Sequence, residues 1–376
     1  AMAHRGPDNQ SVWSEGDVAL GHARLSIVDL SALGNQPMFN EESDLVLVGN
    51  GEIYNAPDLR LRLVAEGHVF RSHSDNETLL HLYEQGVREG NEDWPLLING
   101  MIAFGLWDRR RRRLLLGRDR LGIKPLYYWE NGVGLVFASE IKGILAHPAV
   151  RARIDPQGLR EYLTFENTFG NRTLFDGIRM VEPGQIVRFE DGRLVIRRYW
   201  DITFCDDSPL SFGEACESFL STASAAVERH LMADVEIATY LSGGFDSTSV
   251  ATLAQERLGA GVLTFTGGFD VPGWYDETPG ALAVAERIGS RHTTVRMHAG
   301  HFAETFDDLI YHLDEPRMGF GSFSQYVVAR EAARAVKVIL TGHGGDELFG
   351  GYPVFKFLRL TRAVGDLSPA SLRSLA

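Results

Sequence analysis

The sequence predicts two domains of different class: α+β with layered antiparallel sheets over residues 1–199, and α/β with a doubly wound parallel sheet over residues 212–376. The first half contains many short apolar runs bounded by Gly, Asn and Asp, and few helical patterns. In the second half apolar strands alternate with helical segments, which is typical of a parallel sheet covered by helices on both faces. Residues 200–211 are polar and acidic with one proline, which predicts a linker.

The antiparallel half takes its predicted elements from short apolar runs bounded by Gly, Asn and Asp and from two helical segments. The strands are Val18–Leu20, Leu45–Val48, Ala103–Trp107, Leu114–Gly117 and Val136–Ala138, and the helices are Asp58–Glu66 and Asn76–Gln85. Asp75 is predicted to cap the second helix, because a carboxylate can accept the free N–H groups of a first turn. The charge run Arg109–Arg113 separates two strands and predicts a solvated hairpin turn.

The parallel half is predicted from four strands and four helices. The strands are Ile237–Leu241, Leu263–Thr266, Thr293–Met297 and Val338–Thr341, and the helices are Phe212–Met232, Thr248–Leu258, Pro279–Ile288 and Tyr326–Ala335. Ligands of such sheets bind beyond the carboxyl ends of the strands. The loops after Leu241 and after Leu340 are therefore candidates for a binding site.

Composition narrows the class of protein. The chain has 376 residues, 44% of them hydrophobic, and a formal net charge of -13, which argues against a broad nucleic-acid or anionic-membrane surface. No apolar run approaches the roughly 20 residues of a membrane span. Its two cysteines, Cys205 and Cys216, have neither metal spacing nor a disulfide framework. We therefore expect a cytoplasmic protein without nucleic-acid or membrane partners.

A glycine-rich turn, Ser242-Gly243-Gly244-Phe245-Asp246-Ser247, follows the predicted strand Ile237–Leu241. Glycines let the backbone turn tightly and bring N–H groups close to an anion, and the following helix adds free donors. The two serines can donate hydroxyl hydrogen bonds to phosphate oxygens. Asp246 would repel phosphate directly, so we expect it to bind a Mg²⁺ ion that bridges the phosphates.

The turn is not a P-loop, because the G-x-x-x-x-G-K-[ST] spacing and its lysine are absent. It resembles the S-G-G-x-D-S signature of the ATP-pyrophosphatase (PP-loop) family, which cleaves ATP between the α- and β-phosphates. An ordinary glycine-rich strand–helix turn is the alternative that these six residues leave open.

A second glycine-rich loop, Thr341–Tyr352, follows the last predicted strand. A loop this rich in glycine loses much conformational entropy on folding, which predicts a functional reason for it. We expect it to form a second wall of the nucleotide site, with Asp346 as the second carboxylate on Mg²⁺. The alternative is that Asp346 only caps a helix.

Together these elements resemble the glutamine-hydrolysing asparagine synthetase family. The second half has both glycine-rich loops and Asp314-Glu315-Pro316. The first half has segments similar to the family's glutaminase domain, at His4–Asp8, Gly21–Asp29, Asn50–Asn55, Ser74–Asp75, Gly117–Tyr128 and Ala138–Glu140. The resemblance implies a class II glutamine amidotransferase domain of the N-terminal-nucleophile (Ntn) hydrolase type, joined to an ATP-pyrophosphatase synthetase domain.

The resemblance also implies a glutamine site in the first half. Arg24 would bind the α-carboxylate, to which arginine forms bidentate pairs. Asn50 and Gly51 would form the oxyanion hole, where N–H donors stabilise developing negative charge. Glu52 and Asp75 would hold the amino group. The complete implied set is Arg24, Leu25, Ile27, Asn50, Gly51, Glu52 and Asp75.

This sequence departs from the family's pattern at the catalytic nucleophile. That nucleophile is an N-terminal cysteine activated by its own α-amine, whereas this sequence begins with Ala1 and has no cysteine before Cys205. We expect the complete protein to begin further upstream, with an inactive glutaminase as the alternative. The sequence ends in a polar, helix-prone stretch, Ser368–Ala376, and the family's synthetase domain continues further. We expect a continuation there too.

In the second half, the resemblance implies ATP contacts by Leu241, Ser242, Gly243, Gly244, Asp246, Ser247, Gly267, Thr341 and Gly342, with Mg²⁺ on Asp246 and Asp346. Position 343 is usually acidic in asparagine synthetases and matters for forming the adenylate, so we assign His343 a catalytic place. An imidazole cannot simply replace a carboxylate that faces an amino group. The identity of the amide acceptor is therefore open.

The predicted reaction is ATP-dependent formation of an amide, with ammonia taken from glutamine. The carboxylate of aspartate or a related compound would be activated as an acyl-adenylate. The alternatives are an amidotransferase for a different carboxylate, an intramolecular amide-forming synthetase of the β-lactam or peptide-cyclising kind with a vestigial glutaminase, and a non-catalytic nucleotide-binding scaffold. We expect the binding partners to be small molecules only. A homodimer is a possible oligomeric state that the sequence leaves undecided.

Overall fold

The computed structural model describes residues 1–204, 209–259, 261–271, 273, 276–316 and 319–367. Its sheets confirm the predicted fold class, since they are antiparallel in the first half and parallel in the second. Cys205, residues 205–208 of the predicted linker and the predicted helix-prone stretch Ser368–Ala376 lie outside the described residues. Within the described ranges, no helix is both long enough and apolar enough to cross a membrane.

The first half is built mainly from strands. They are β1 (Asn9–Glu15), β2 (Val18–Arg24), β3 (Met38–Phe39), β4 (Leu45–Ile53), β5 (Gly100–Asp108), β6 (Arg113–Arg118), β7 (Tyr127–Glu130), β8 (Leu135–Ala138), β9 (Ile178–Met180), β10 (Gln185–Glu190) and β11 (Arg193–Arg198). The helices are α1 (Ala56–Ala65), α2 (Glu77–Glu89), α3 (Ile141–Leu145) and α4 (Pro156–Phe165), and α5 (Phe212–His230) follows the predicted linker.

A six-stranded sheet, in the order β11-β10-β6-β5-β4-β3, separates two apolar cores. Successive side chains of a strand point to opposite faces, so alternate residues of β4 enter different cores. Leu47 and Ile53 pack with residues of α1 and α2, whereas Val46 and Val48 pack with residues of β2 and β7. The layered arrangement therefore has helices on one face of the sheet and further strands on the other.

The predicted capping of α2 by Asp75 is wrong. The residue before the helix is Asn76, whose side chain makes no capping hydrogen bond. The Asp75 Oδ2 atom instead accepts the backbone N–H of Ile53 at 2.7 Å. A buried carboxylate needs a hydrogen-bond donor, and the end of β4 supplies one that local sequence reasoning does not see.

The charge run Arg109–Arg113 forms the β5–β6 hairpin turn, as predicted, but its arginines are ion-paired. Arg109 binds Glu15, Arg111 binds Asp108 at 3.1 Å and Arg112 binds Asp17 at 2.9 Å. These pairs connect the turn to the end of β1 and to the loop before β2. Exposed pairs of this kind stabilise only weakly.

The second half contains a four-stranded parallel sheet in the order β14-β13-β12-β15. Its strands are β12 (Ile237–Tyr240), β13 (Leu263–Phe269), β14 (Arg291–Met297) and β15 (Val338–Leu340). The helices are α6 (Phe245–Leu258), α7 (Thr278–Ile288), α8 (Ala299–Leu313), α9 (Phe320–Ala332), α10 (Gly345–Phe349) and α11 (Pro353–Leu367).

Helices cover both faces of this sheet, which makes it doubly wound as predicted. One core joins Ala238 and Phe265 to Val328 and Ala332 of α9. The other joins Leu241 to alanines of α6 and α7. The small alanines allow those two helices to approach the start of the glycine-rich turn closely.

The contacts divide the chain into two compact units. The first contains Ala1–Glu236 together with Phe302–Phe323, and the second contains Ile237–His301 and the chain from Ser324 on. The segment Phe302–Phe323 is held in the first unit by Asp314, whose carboxylate accepts the Ile141 N–H at 2.7 Å and binds Lys142 at 2.8 Å. The linker at residues 200–211 is inferred from a change in amino-acid composition. The division into compact units does not test it, so it stays a prediction.

Replacing Leu106 by alanine should destabilise the protein. Leu106 is fully buried in β5, opposite Leu47 of β4. Loss of its buried methyl groups leaves a cavity and should lower the free energy of unfolding by about 2–5 kcal/mol. The matched control Leu61→Ala, at a side chain 74% exposed, should change it by less than about 0.5 kcal/mol. If urea denaturation showed the same decrease in the free energy of unfolding for both variants, this assignment of the core would be contradicted.

Candidate functional site

The first unit contains a cavity of about 1090 Å³. It lies against β2, β4, β5 and the loop that precedes β7, and residues from all four contribute to its walls. Every residue implied for glutamine binding lines it: Arg24, Leu25, Ile27, Asn50, Gly51, Glu52 and Asp75. The structure therefore brings together seven residues that come from three separate segments of the sequence.

Asn50 and Gly51 lie near the end of β4, paired with Ala103 and Ile102 of β5. The Gly51 backbone has φ +144°, a conformation that L side chains rarely adopt, and a Cβ atom there would collide with the Met101 carbonyl oxygen. The Asn76 side chain donates to the Gly51 carbonyl at 3.1 Å. This peptide is therefore held in place from both sides.

The Asn50 side-chain amide nitrogen is buried and has no hydrogen-bond partner in the structure. An unpaired buried donor is costly unless a ligand completes it. Because Asn50 lines the cavity, its N–H groups are available to an oxygen of a bound molecule. This is the chemistry that an oxyanion hole requires.

Two buried carboxylates lie together on the cavity wall. Glu52 is 7% exposed and Asp75 is 4% exposed. Burial, and secondly the charge of Asp75, raises the pKa of Glu52 to about 7, while the charge of Lys124 opposes that shift. Burial also raises the pKa of Asp75. A cationic group entering the cavity would stabilise the ionised form of both acids.

Arg24, at the end of β2, is 5% exposed and its guanidinium is already hydrogen-bonded. Its terminal nitrogens donate to the carbonyls of Val28, Asp29 and Ser31 and to the Asn35 side chain. These bonds hold the loop after β2, which carries Leu25 and Ile27. A bidentate contact with a ligand carboxylate would need some of these bonds to be exchanged.

Lys124 is a cavity residue to which the sequence analysis gave no role. The loop that carries it is fixed from within. Arg118 donates to the Lys124 carbonyl at 2.7 Å, and Asp119 accepts the Lys124 N–H at 3.0 Å. Burial lowers the pKa of Lys124, and the nearby charge of Glu52 opposes this shift. Lys124 lies in the segment Gly117–Tyr128, which is similar to the family's glutaminase domain, and this similarity is the sequence signal that could have identified it.

In the second unit, the turn Ser242–Ser247 joins β12 to α6. The Ser247 hydroxyl accepts the Ser242 N–H at 3.1 Å and lies 2.9 Å from the Ser242 hydroxyl. Gly243 has φ +80°, which favours glycine. The Gly244 N–H donates to the Ser242 hydroxyl at 3.2 Å. The turn is thus closed by its own serines, while the residues Gly243 and Gly244 are exposed at the start of α6. Exposed N–H groups at a helix start attract anions.

The second glycine-rich loop lies directly against this turn. β12 and β15 are parallel neighbours, with Thr239 paired to Leu340, so both loops leave the same edge of the sheet. A Cβ atom at Gly342 would lie 2.7 Å from the Ser247 nitrogen and 2.8 Å from the Asp246 carbonyl carbon. A Cβ atom at Gly345 would collide with the Asp246 carboxylate. The two loops therefore meet, as the sequence predicted.

The remaining residues implied for ATP lie around the same strand ends. Leu241 donates its N–H to Phe265 at 2.9 Å, and Thr266 hydrogen-bonds the Leu241 carbonyl. Gly267 follows on β13, where a Cβ atom would lie 2.9 Å from Met297. The Thr341 hydroxyl lies 2.9 Å from the His343 ring. The absence of a side chain at Gly267 therefore lets Met297 and Val328 pack against this strand end.

The acidic residues of these loops suit a Mg²⁺ ion. Asp246 lies against Gly345, the first residue of the short helix α10, and Asp346 follows in the first turn of that helix. Both residues are half-buried, and carboxylate oxygens are the ligands that Mg²⁺ prefers. The donor set therefore fits the predicted metal. The second carboxylate of α10, Glu347, is instead hydrogen-bonded to Tyr352 at 2.8 Å.

His343 is exposed and lies between two polar side chains. Its Nε2 atom is 2.8 Å from the Gln325 amide nitrogen, and its Nδ1 atom is 2.9 Å from the Thr341 hydroxyl. Since an amide nitrogen only donates, Gln325 is the donor to His343 Nε2 in this contact. Gln325, on α9, is a second residue that the sequence analysis missed, because nothing local connects it to the loop.

The family models and the similar proteins both indicate a glutamine amidotransferase domain followed by an asparagine synthase domain. A glutamine amidotransferase domain model matches residues 1–200, and an asparagine synthase model matches residues 219–375. Asparagine synthetase [glutamine-hydrolyzing] 3 of Bacillus subtilis is 35% identical over 94% of this chain and 59% of its own length. Asparagine synthetase [glutamine-hydrolyzing] 1 of the same organism is 32% identical over 94% of this chain and 55% of its own.

A fungal relative has a different name. Amidase chry2 of Gibberella zeae is 32% identical over 94% of this chain and 54% of its own length. The chain thus spans little more than half the length of these curated relatives. Because the amidotransferase model alone covers more than half of the sequence, and the synthase model follows it in order, the chain belongs to the glutamine-hydrolysing asparagine synthetase family.

Proposed function

We propose that the protein is an ATP-dependent, glutamine-dependent ligase that converts a substrate carboxylate to an amide. The observation that carries the proposal is the contact of Gly342 with Asp246 and Ser247, which joins the two glycine-rich loops at one sheet edge. An ordinary strand–helix turn would not need a second such loop against it. The glutamine cavity in the first unit supports the nitrogen-donor half.

Glutamine would bind with its amino group between Glu52 and Asp75 and its side-chain carbonyl oxygen at Asn50. The unpaired Asn50 amide supports this orientation, since it would donate to the oxygen that becomes negative during attack. Residues 1–204 contain no cysteine. Binding of glutamine, rather than its hydrolysis, is therefore what these residues themselves predict.

In the synthetase half, the Gly243 N–H and the two turn serines would bind the phosphates of ATP, and the Gly244 N–H would join them by exchanging its bond to the Ser242 hydroxyl. Asp246 and Asp346 would hold Mg²⁺, which would offset negative charge on the phosphates. The substrate carboxylate would attack the α-phosphorus, and pyrophosphate would leave. Ammonia would then attack the carbonyl carbon, releasing AMP and leaving the amide.

The acceptor is aspartate or another carboxylate. His343 supports the second choice, because an imidazole ring, held between Thr341 and Gln325, presents no negative charge to an amino acid's ammonium group. The 32% identity to a relative named as an amidase is compatible with that choice. A screen of carboxylates for ATP-dependent pyrophosphate release would separate the two acceptors. No release with any carboxylate or amino acid would favour a nucleotide-binding scaffold.

Glutamine affinity should rise with pH through neutrality. Free Glu52, with its pKa raised to about 7, is mostly protonated below that pH, whereas the ammonium of glutamine needs the carboxylate. Binding therefore releases a proton, and affinity should fall up to about tenfold per pH unit below the pKa. Isothermal titration at about pH 6 and about pH 8 measures this.

Two variants control that measurement. Glu52→Gln should bind glutamine more weakly and lose the pH dependence. Glu42→Gln, at a side chain 66% exposed, should retain both the affinity and the slope. An unchanged slope in Glu52→Gln would assign the titration to another group and remove Glu52 from the ammonium site.

Replacing Asp246 by asparagine should weaken Mg²⁺-dependent ATP binding. The variant keeps the shape of the side chain but removes a charged oxygen ligand. The Kd for ATP with Mg²⁺ should rise at least about tenfold, equivalent to about 1.4 kcal/mol, while the Kd without Mg²⁺ should change little. Calorimetric titration with a non-hydrolysable ATP analogue measures both. Glu256→Gln removes the charge of an exposed carboxylate on the same helix, and this variant should bind ATP like the wild type. Equal Mg²⁺ dependence in both variants would refute the metal assignment.

A further inference from the structure

A cluster of four potential metal ligands lies in the first unit, and its residues do not line the glutamine cavity. Glu41 precedes β4, His68 follows α1, and His81 and Glu84 lie one turn apart on α2. One ligand atom from each residue lies within 4.8 Å of the others. Side chains three residues apart on a helix face the same side, so α2 presents two ligands toward the other two segments.

The inner atoms of this cluster are buried without partners. The His68 and His81 side chains are 0% exposed. The Nδ1 atoms of both histidines, and the Oε2 atoms of Glu41 and Glu84, are buried and make no hydrogen bond. Buried polar atoms are almost always paired, so four unpaired atoms that converge on one point indicate an occupant.

The outer atom of each ligand, by contrast, is engaged or faces an acceptor. Glu41 Oε1 accepts the Val69 N–H at 2.7 Å, and Glu84 Oε1 accepts from Arg88 at 2.7 Å. His68 Nε2 lies 3.2 Å from the Gln85 carbonyl oxygen. His81 Nε2 lies 3.8 Å from a Glu77 carboxylate oxygen.

These outer contacts fix the chemistry of the rings. Gln85 donates its own amide to Glu89 at 2.6 Å, so its carbonyl oxygen is the acceptor and His68 Nε2 carries the proton. His81 Nε2 makes no hydrogen bond to the described residues, and the Glu77 carboxylate 3.8 Å away is the acceptor that a proton there would face. With both Nε2 atoms protonated, both Nδ1 lone pairs point inward. Metal-binding histidines are oriented by acceptors on their second nitrogen in this manner.

Two of the ligand–ligand distances suit a small tetrahedral ion, and the other ligand atoms lie within 4.8 Å of one another. His68 Nδ1 is 3.5 Å from Glu84 Oε2, and His81 Nδ1 is 3.6 Å from Glu41 Oε2. Bonds of about 2.0–2.2 Å to Zn²⁺ place tetrahedral ligands roughly 3.3–3.6 Å apart. Two imidazole nitrogens favour Zn²⁺ over Mg²⁺ or Ca²⁺, which prefer oxygen ligands throughout. The two glutamates would neutralise the charge of the ion.

We propose that Glu41, His68, His81 and Glu84 form a structural Zn²⁺ site. The four ligands complete the coordination sphere, so the ion has no open position for substrate. It ties α2 to the loop before β4 and to the chain that follows α1. Asp75, whose carboxylate accepts the Ile53 N–H, lies just before α2, so the ion stabilises the element next to the carboxylate pair.

The test uses the 376-residue chain purified without a polyhistidine tag. Mass spectrometric metal analysis should find about one Zn²⁺ per chain after growth with zinc. After the metal is removed by a chelator, addition of Co²⁺ should produce the intense visible absorption of four-coordinate cobalt with nitrogen and oxygen ligands. Addition of Zn²⁺ should bleach that absorption and raise the Tm.

Three variants decide the assignment. Glu84→Gln and His81→Gln should each raise the Kd for Zn²⁺ at least about tenfold, and Glu66→Gln, an exposed acid at the end of α1, should leave it unchanged. If His81→Gln fails to fold, the cobalt spectrum of the wild type and Glu84→Gln still decide. A wild type that takes up no stoichiometric zinc would show instead that these residues are histidine–glutamate ion pairs. Zinc retained equally in both ligand variants would place it elsewhere, and either result overturns the proposal.

Discussion

The close approach of two loops at one sheet edge is the constraint on which the synthetase half depends. Parallel pairing of β12 and β15 sends the chain out of both strands on the same side. The loops can then meet only where one has no side chain, because a Cβ atom at Gly342 would lie within 2.8 Å of the Asp246 and Ser247 backbone. Pairing and glycine together place Asp246 beside the segment that carries Asp346.

The glutaminase half reaches its site by a different route. There the antiparallel pairing of β4 with β5 places Asn50, Gly51 and Glu52 in order along one strand. Alternate side chains of that strand are anchored in separate cores, so the end of the strand is held rigidly. The structure can therefore keep an amide donor unpaired and two carboxylates buried, and a bound ligand with an oxygen and an ammonium group would stabilise both.

Sequence reasoning predicted what short segments determine. Strand runs, the glycine-rich loops and their convergence followed from periodicity, turn chemistry and the rule for parallel sheets. It failed where distant residues compete: Asp75 was expected to cap α2 but accepts the Ile53 N–H. The helix α8 (Ala299–Leu313) was not predicted. Lys124 lies in a segment similar to the family's glutaminase domain, but Gln325 and the cluster of Glu41, His68, His81 and Glu84 could be recognised only when the fold brings separate segments together.

Hydrogen–deuterium exchange with and without Mg²⁺-ATP tests the convergence of the loops most directly. If one nucleotide is bound by both, peptides covering residues 242–247 and 341–346 should become protected together at the same ATP concentration. The same protection should be weak without Mg²⁺. Protection of only one of these loops, or protection of both at clearly different ATP concentrations, would contradict a shared triphosphate site.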